Sequence, residues 1–204
     1  MTELAEVRGC PLCYWLSRNR LDPPSYPLPA ILNRMDSVIK SFMERFMNRD
    51  ELPSWFPVKG TFLGPRSLSA RDPESGLVLK GRLDAFLREK DGSYVVVDYK
   101  VSSPKEEVNE NYKLQLDGYA YLLEKNGLAP VSKGVLLHFM PVNGDIADGR
   151  IPFDIKPVYV RVEPERIPGI LGLARKIIDM KEPPPSSDDC EWCRWRREVT
   201  NLVG

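Results

Sequence analysis

The segment of residues 81–100, GRLDAFLREKDGSYVVVDYK, constrains the fold of this chain more than any other stretch. Apolar residues in 78–87 predict one β-strand, and Asp91 and Gly92 form a turn dipeptide after it. The apolar run at 94–97 predicts the returning strand. The segment is therefore predicted to be a β-hairpin.

Charged residues interrupt or end both apolar runs of this hairpin. Asp84 interrupts the first run, and Asp98 and Lys100 end the second. Because side chains alternate along a strand, Asp98 and Lys100 share a face, and pairing near the turn brings Asp84 towards Asp98. Burying such charges is costly unless they are paired or bind a metal. The pattern suits a divalent metal ion that holds a phosphate and activates water, and the alternative is a solvated strand end.

Length and charge limit the possible classes of protein. The 204 residues, with 42% hydrophobic and 28% charged residues, predict one globular domain with a real core. Lys and Arg equal Asp and Glu in number, so a nucleic-acid partner would have to bind local patches. We find no apolar run of membrane-spanning length and no signal peptide, and therefore expect a cytoplasmic location without a membrane partner.

Helical and strand patterns alternate along the rest of the chain. Proline-rich stretches at 22–29 and 182–189 are interpreted as linkers. The order predicts an α/β fold with helices packed on a central sheet. The predicted helices are 30–49, 106–126 and 166–180, and the further predicted strands are 67–72, 134–141 and 158–162.

The chain has four cysteines, arranged as two C-x-x-C pairs near its two ends: Cys10 and Cys13, and Cys190 and Cys193. This spacing is typical of a metal site with four thiolate ligands. Disulfides are disfavoured in a cytosolic protein. Zinc and an iron–sulfur cluster are both compatible with four cysteines.

The single histidine excludes several catalytic classes. His138 lies in an apolar strand, so a zinc protease with H-E-x-x-H is impossible and a Ser-His-Asp triad could use only this residue. The sequence also lacks a phosphate loop and a dinucleotide-binding glycine motif. Hydrolysis by a carboxylate-bound metal needs no histidine and remains possible.

Three motifs in order carry a family resemblance: GRLD at 81–84, DYK at 98–100 and QLDGY at 115–119. Together they resemble the PD-(D/E)XK nuclease superfamily, in its RecB-like branch related to the CRISPR-associated iron–sulfur exonucleases. The cysteines near both ends are similar to the split cysteine set of the iron–sulfur members. The resemblance covers nearly the whole chain.

The resemblance implies a restriction-endonuclease-like fold, an α/β central mixed sheet flanked by helices. One nuclease-like domain would span 1–204, with 1–20 and 186–204 joined as a lobe at the four-cysteine metal site. The implied activity is metal-dependent hydrolysis of DNA, exonuclease-like in DNA processing or repair. The alternative is a catalytically silent nucleic-acid-binding module. A third hypothesis, a zinc-stabilised interaction domain, would not explain the charged residues of the hairpin.

The resemblance also implies site residues and cofactors. Asp84 and Asp98 would bind Mg²⁺ or Mn²⁺, and Lys100 would position or activate the attacking water. Gln115 and Tyr119 would support the active site and the DNA backbone. The four cysteines would hold a 4Fe–4S cluster, or alternatively Zn²⁺.

Two departures from the family pattern matter. The RecB-like branch commonly has Gly and a metal-binding His where this chain has Asp36 and Lys40. Either Glu44, one turn on, supplies an additional ligand, or fewer protein groups hold the metal. The alternative is that Asp36, Lys40 and Glu44 form a salt-bridged surface row. The cysteines are divided two and two, whereas the related exonucleases usually have one and three.

Single-stranded DNA, or DNA with single-stranded ends, is the expected partner, and a helicase or other DNA-processing protein is a possible one. Basic groups alternate with aromatic rings near the cysteines, as on a single-stranded path. The alternative is that the rings pack over the metal and the arginines are solvated. The residues are Tyr14, Trp15, Arg18, Arg20, Trp192, Arg194, Trp195, Arg196 and Arg197.

Overall fold

The computed structural model of this chain describes residues 2–22, 27–144 and 149–203, and the first linker, 22–29, therefore lies partly outside the described residues. The helices are α1 Thr2–Gly9, α2 Pro11–Arg18, α3 Ala30–Met43, α4 Glu110–Lys125, α5 Ile167–Ile178 and α6 Glu191–Val203. The strands are β1 Thr61–Phe62, β2 Arg66–Arg71, β3 Val78–Leu83, β4 Ala85–Arg88, β5 Tyr94–Lys100, β6 Val131–Pro141 and β7 Phe153–Val160. None of the described helices is long and apolar enough to cross a lipid bilayer.

The described elements form two compact units. The sheet unit comprises 28–70 and 79–164, and the terminal unit comprises 1–27, 71–78 and 165–204. Helices α1 and α2 pack against α5 within the terminal unit.

The five-stranded sheet has the order β1-β4-β5-β6-β7. Strands β5 and β6 are parallel, and the other neighbouring pairs are antiparallel. The chain leaves β5 through α4 before it enters β6, as a parallel connection requires. The predicted mixed α/β fold is confirmed.

The two faces of the sheet are covered by different helices. Met43, at the end of α3, packs in a core with Leu87, Val97 and Val135. On the other side, α4 lies so close to β6 that a Cβ atom at Gly134 would be 2.8 Å from Cδ1 of Leu116. Such an approach needs a residue without a side chain. The glycine therefore lets α4 lie directly over β6 and contact β5, the strand that ends in the charged motif.

The hairpin has the predicted turn, but its first half is two strands rather than one. Strand β3 ends at Leu83 and belongs to a separate two-stranded sheet with β2, whereas β4 starts at Ala85 in the large sheet. The chain bends at Asp84, whose Oδ2 accepts a hydrogen bond from the backbone N–H of Tyr99, 3.1 Å away. A side-chain oxygen thus binds an N–H group at the end of β5, and the single predicted strand divides there.

Several other boundaries differ from the sequence prediction. Helix α3 ends at Met43 and continues as a short 3-10 turn, Glu44–Phe46, instead of reaching residue 49. Helix α4 begins at Glu110, where the Asn109 side chain accepts a hydrogen bond from the N–H of Asn111 and caps the helix. Helices α1, α2 and α6 were not predicted from the sequence.

Candidate active site and four-cysteine centre

Asp84 and Asp98 meet at the end of the β4–β5 hairpin. Ala85 pairs with Val97 in the antiparallel ladder. Residue 84 precedes Ala85 and residue 98 follows Val97, so these two positions lie opposite one another. The Asp84 side chain is 14% exposed, and its Oδ1 lies 2.8 Å from Nζ of Lys40. Lys40 reaches it from α3. The sequence register and the bend at residue 84 therefore bring both carboxylates to one edge of the sheet.

Asp98 is almost completely buried, with 2% of its surface exposed. Nζ of Lys100 lies 2.6 Å from its Oδ2, so the buried carboxylate is paired with an ammonium group. Burial raises the pKa of Asp98 to about 6, although the ammonium of Lys100 acts in the opposite direction. A buried carboxylate needs such a cationic partner, because burying an unpaired charge is costly.

A chain of hydrogen bonds joins Lys100 to α4. Nζ of Lys100 donates to Oε1 of Gln115 over 2.9 Å, and Nε2 of Gln115 donates to Oη of Tyr119 over 3.0 Å. The two α4 residues are one helical turn apart and therefore share a face. Burial raises the pKa of the Tyr119 phenol, which stays neutral and can accept the bond. The structure thus brings Lys100, Gln115 and Tyr119 together.

Tyr112 is a contact that the sequence analysis did not assign to the site. Nζ of Lys100 lies 4.1 Å from the centre of its ring, within the range of a cation–π interaction. Tyr112 precedes Gln115 by three residues on α4, and this spacing was the available signal. The spacing alone does not assign Tyr112 to the site, because an aromatic residue at helical spacing is also typical of a packing face.

Lys40 and Glu44 have different surroundings. Nζ of Lys40 lies 2.8 Å from Oδ2 of Asp36 and 2.8 Å from Oδ1 of Asp84, so it bridges two carboxylates. Glu44 lies in the 3-10 turn after α3, and its side chain is exposed. Apart from the four cysteines, no set of three or more His, Cys, Asp or Glu side chains in the described ranges has the spacing of a metal site.

His138 lies beside Lys100, because these two residues are partners in the β5–β6 register. It is buried, and its Nδ1 lies 2.9 Å from the backbone oxygen of Ser102. Burial lowers the pKa of His138. The imidazole is therefore neutral at physiological pH, with its Nδ1 occupied by the backbone.

The two aspartates fit a divalent cation. Carboxylate oxygens are hard ligands, and Mg²⁺ is commonly held by one or two carboxylates together with waters and substrate phosphates. The Asp98 carboxylate is buried, and residues 84 and 98 are the opposite positions that follow the Ala85–Val97 pair. Two protein ligands are therefore enough for a site of this kind.

The four cysteines form a second site, within the terminal unit. Their sulfur atoms all lie within 4.8 Å of one another. The Sγ atom of Cys13 is 3.6 Å from those of Cys190 and Cys193, and Cys10 is 3.8 Å from Cys193. All four are free thiols. Two thiols from each end of the chain therefore face one point.

Two short helices present these thiols. Cys10 is the N-cap of α2, and Cys13 lies one turn later; Cys190 immediately precedes α6, and Cys193 lies in its first turn. Burial raises the pKa of Cys10, but hydrogen bonds from the backbone N–H groups of Cys13 and Ser187 outweigh this effect and lower it to about 7. Burial raises the pKa of Cys13. Four converging thiols fit a metal that takes sulfur ligands.

Comparison with known proteins identifies one family. The family model described as the PD-(D/E)XK nuclease superfamily matches residues 15–197. No curated protein matches the chain. A solved structure, "Crystal structure of SSO0001", is similar, with a TM-score of 0.47 and 19% sequence identity, over 98% of this chain and 84% of that chain.

Proposed function

The chain belongs to the PD-(D/E)XK nuclease superfamily, and on this basis we propose that it is a metal-dependent nuclease that hydrolyses phosphodiester bonds in DNA. The supporting observation is the convergence of Asp84, Asp98 and Lys100 at one end of the β4–β5 hairpin. Such a site combines hard oxygen ligands with a fixed positive charge, as phosphoryl chemistry requires.

We propose that Asp84 and Asp98 hold Mg²⁺ or Mn²⁺. The ion, when bound, supplies a Lewis acid for the phosphoryl group and activates water. Both carboxylates would hold the ion from fixed positions, since Asp84 accepts the N–H of Tyr99 and Asp98 is buried.

Lys100 supplies a positive charge that does not depend on the metal. Its ammonium is held by Oε1 of Gln115 and by the ring of Tyr112. A preorganised cation stabilises charge that develops on the phosphate without reorganising during the reaction. Tyr119 accepts from the amide nitrogen of Gln115 and so keeps the amide oxygen directed at Lys100. Gln115 and Tyr119 are thus proposed to position Lys100.

Single-stranded DNA is the proposed substrate form. Trp195 is 57% exposed and lies 6.4 Å, ring centre to ring centre, from Trp192 on α6, beside Arg194 and Arg196. Exposed rings among arginines favour stacking of unpaired bases. Helix α2 contributes less to such a DNA-binding surface, because Tyr14 is buried and Arg18 is paired with Glu3. Exonuclease action, a role in DNA processing or repair and a helicase partner are proposals that rest on the resemblance, and a cytoplasmic location stays a prediction from the sequence.

Cleavage of end-labelled DNA tests this proposal. The purified protein should cleave single-stranded DNA in Mg²⁺ or Mn²⁺, and an excess of chelator should stop the reaction. Stepwise shortening of the DNA from one end indicates an exonuclease. Internal cuts that give fragments of unrelated lengths at early times indicate an endonuclease. DNA binding without cleavage in any divalent metal would contradict the proposal and would favour the silent binding module.

Replacing Tyr112 with Leu should lower the cleavage rate about five- to thirtyfold, because a partly desolvated cation–π contact contributes on the order of 1–2 kcal/mol. Tyr112→Phe keeps the ring and should retain the rate. The measurement is kcat at saturating DNA and metal. Equal rates for the Leu and Phe variants would show that the ring does not position Lys100.

We propose that residues 1–20 and 186–204 form a lobe around a metal centre held by the four cysteines. The resemblance supports a 4Fe–4S cluster. Three of the six sulfur separations are 3.6–3.8 Å and all lie within 4.8 Å, which supports Zn²⁺, because four ligands at about 2.3 Å from one ion form a tetrahedron with edges of about 3.8 Å. Metal analysis of anaerobically purified protein distinguishes them, since a cluster is brown and zinc is colourless.

A further inference from the structure

The Lys40 ammonium is bound to the same carboxylate that is proposed to hold the metal. Its Nζ lies 2.8 Å from Oδ1 of Asp84, and the other oxygen of Asp84 accepts the N–H of Tyr99. Both oxygens of this carboxylate therefore already have a partner. A cation on Oδ1 would share that atom with an ammonium group.

We propose that Lys40 competes with the divalent metal for Asp84 and, once displaced, supplies a positive charge for binding of the DNA phosphate. This inference rests on the proposed nuclease function and assigns a role to Lys40 within the same site. Two cations on one oxygen would lie only a few ångströms apart and repel each other. Metal binding therefore requires the Lys40–Asp84 contact to break.

Asp36 would keep the displaced ammonium near the site. Asp36 lies one turn before Lys40 on α3, and its Oδ2 already holds Nζ at 2.8 Å. Breaking the contact with Asp84 leaves this second ion pair in place. Lys40 is thus anchored at one carboxylate and exchangeable at the other, which a solvated surface lysine is not.

The net charge of the site explains why Lys40 would favour DNA binding once the metal has displaced it from Asp84. The carboxylates of Asp36, Asp84 and Asp98 face the ammonium groups of Lys40 and Lys100, which leaves one net negative charge. Addition of a divalent ion changes this to one net positive charge, which complements a phosphodiester group. Without Lys40 the metal-loaded site would be neutral. Lys40 should therefore weaken metal binding and strengthen DNA binding.

Mn²⁺ titration of the DNA-free protein tests the first half of this inference. Lys40→Met, which keeps an unbranched side chain of similar size without the charge, should lower the Kd for Mn²⁺ about five- to tenfold, the effect of losing one partly exposed ion pair and its repulsion of the metal. Lys133→Met is the matched control, because Lys133 pairs with Glu89 at 2.8 Å and has a similarly exposed side chain, 35% against 33% for Lys40. It should leave the Kd unchanged.

Binding of a labelled oligonucleotide to the Ca²⁺-loaded protein tests the second half. Fluorescence anisotropy should show several-fold weaker binding by Lys40→Met than by the wild type, the opposite direction to the metal effect. A purely structural role of Lys40 would weaken both. Circular dichroism checks that the variants are folded.

The outcomes separate this inference from the proposed function. An unchanged or higher Kd for Mn²⁺ in folded Lys40→Met protein overturns the competition, whether or not the wild type cleaves DNA, and so does a complete lack of Mn²⁺ binding by both proteins. A lower Kd in a protein without nuclease activity supports the competition and contradicts only the nuclease proposal.

Discussion

Replacing Asp98 with Asn is expected to lower DNA cleavage on the order of a thousandfold, because it removes a metal ligand whose effect on the transition state is several kcal/mol. The side chain keeps its size, and Lys100, at 15% side-chain exposure, can still be solvated after its partner is neutralised. The fold should therefore survive. The measurement is the single-turnover rate on end-labelled DNA in Mg²⁺ or Mn²⁺, with circular dichroism as the check on folding.

Asp91→Asn provides the matched control for this change. Asp91 is exposed in the hairpin turn, where its Oδ1 accepts hydrogen bonds from the N–H and the hydroxyl of Ser93. An amide oxygen can accept the same bonds, so the variant should cleave DNA at the wild-type rate. Cleavage by folded Asp98→Asn protein at the rate of this control would contradict the proposed role of Asp98.

The convergence of the hairpin could be predicted because it depends on local rules. Alternation along a strand puts Asp98 and Lys100 on one face, and a short turn fixes which residues of β4 and β5 oppose one another. The ordered motifs added Gln115 and Tyr119, and both lie in one hydrogen-bonded chain with Lys100. Helical spacing alone would have left these two residues as an ordinary polar pair on a packing face.

The features that could not be predicted from the sequence join residues far apart in the chain or depend on a single side chain. Lys40 and Asp84 belong to different elements, and local spacing predicts only the i,i+4 pair of Lys40 with Asp36. The bend at Asp84 follows from one side-chain hydrogen bond to Tyr99, whereas the apolar pattern runs through it. The eight-residue helices α1 and α2 are too short to be stable alone and depend on tertiary packing.

The four-cysteine centre carries the largest expected effect on stability. Cys193 is buried, and its sulfur lies 3.6 Å from Cys13 and 3.8 Å from Cys10, which come from the other end of the chain. A shared metal closes a loop of well over a hundred residues, and such a crosslink removes about 4–5 kcal/mol of unfolded-state entropy in the polymer model. Cys193→Ser should therefore release the metal and lower the free energy of unfolding by about this amount, as measured by metal analysis and denaturant unfolding.

A double substitution shows whether the two pairs share one centre. If one metal binds all four thiolates, Cys193→Ser already removes it, and adding Cys10→Ser should cost little more, because residues that act as a unit are not additive. Wild-type protein stripped of its metal by a chelator should match the single variant. Two independent sites would instead give additive losses from the two substitutions, and unchanged stability after complete metal removal would show that the centre does not join the ends of the chain.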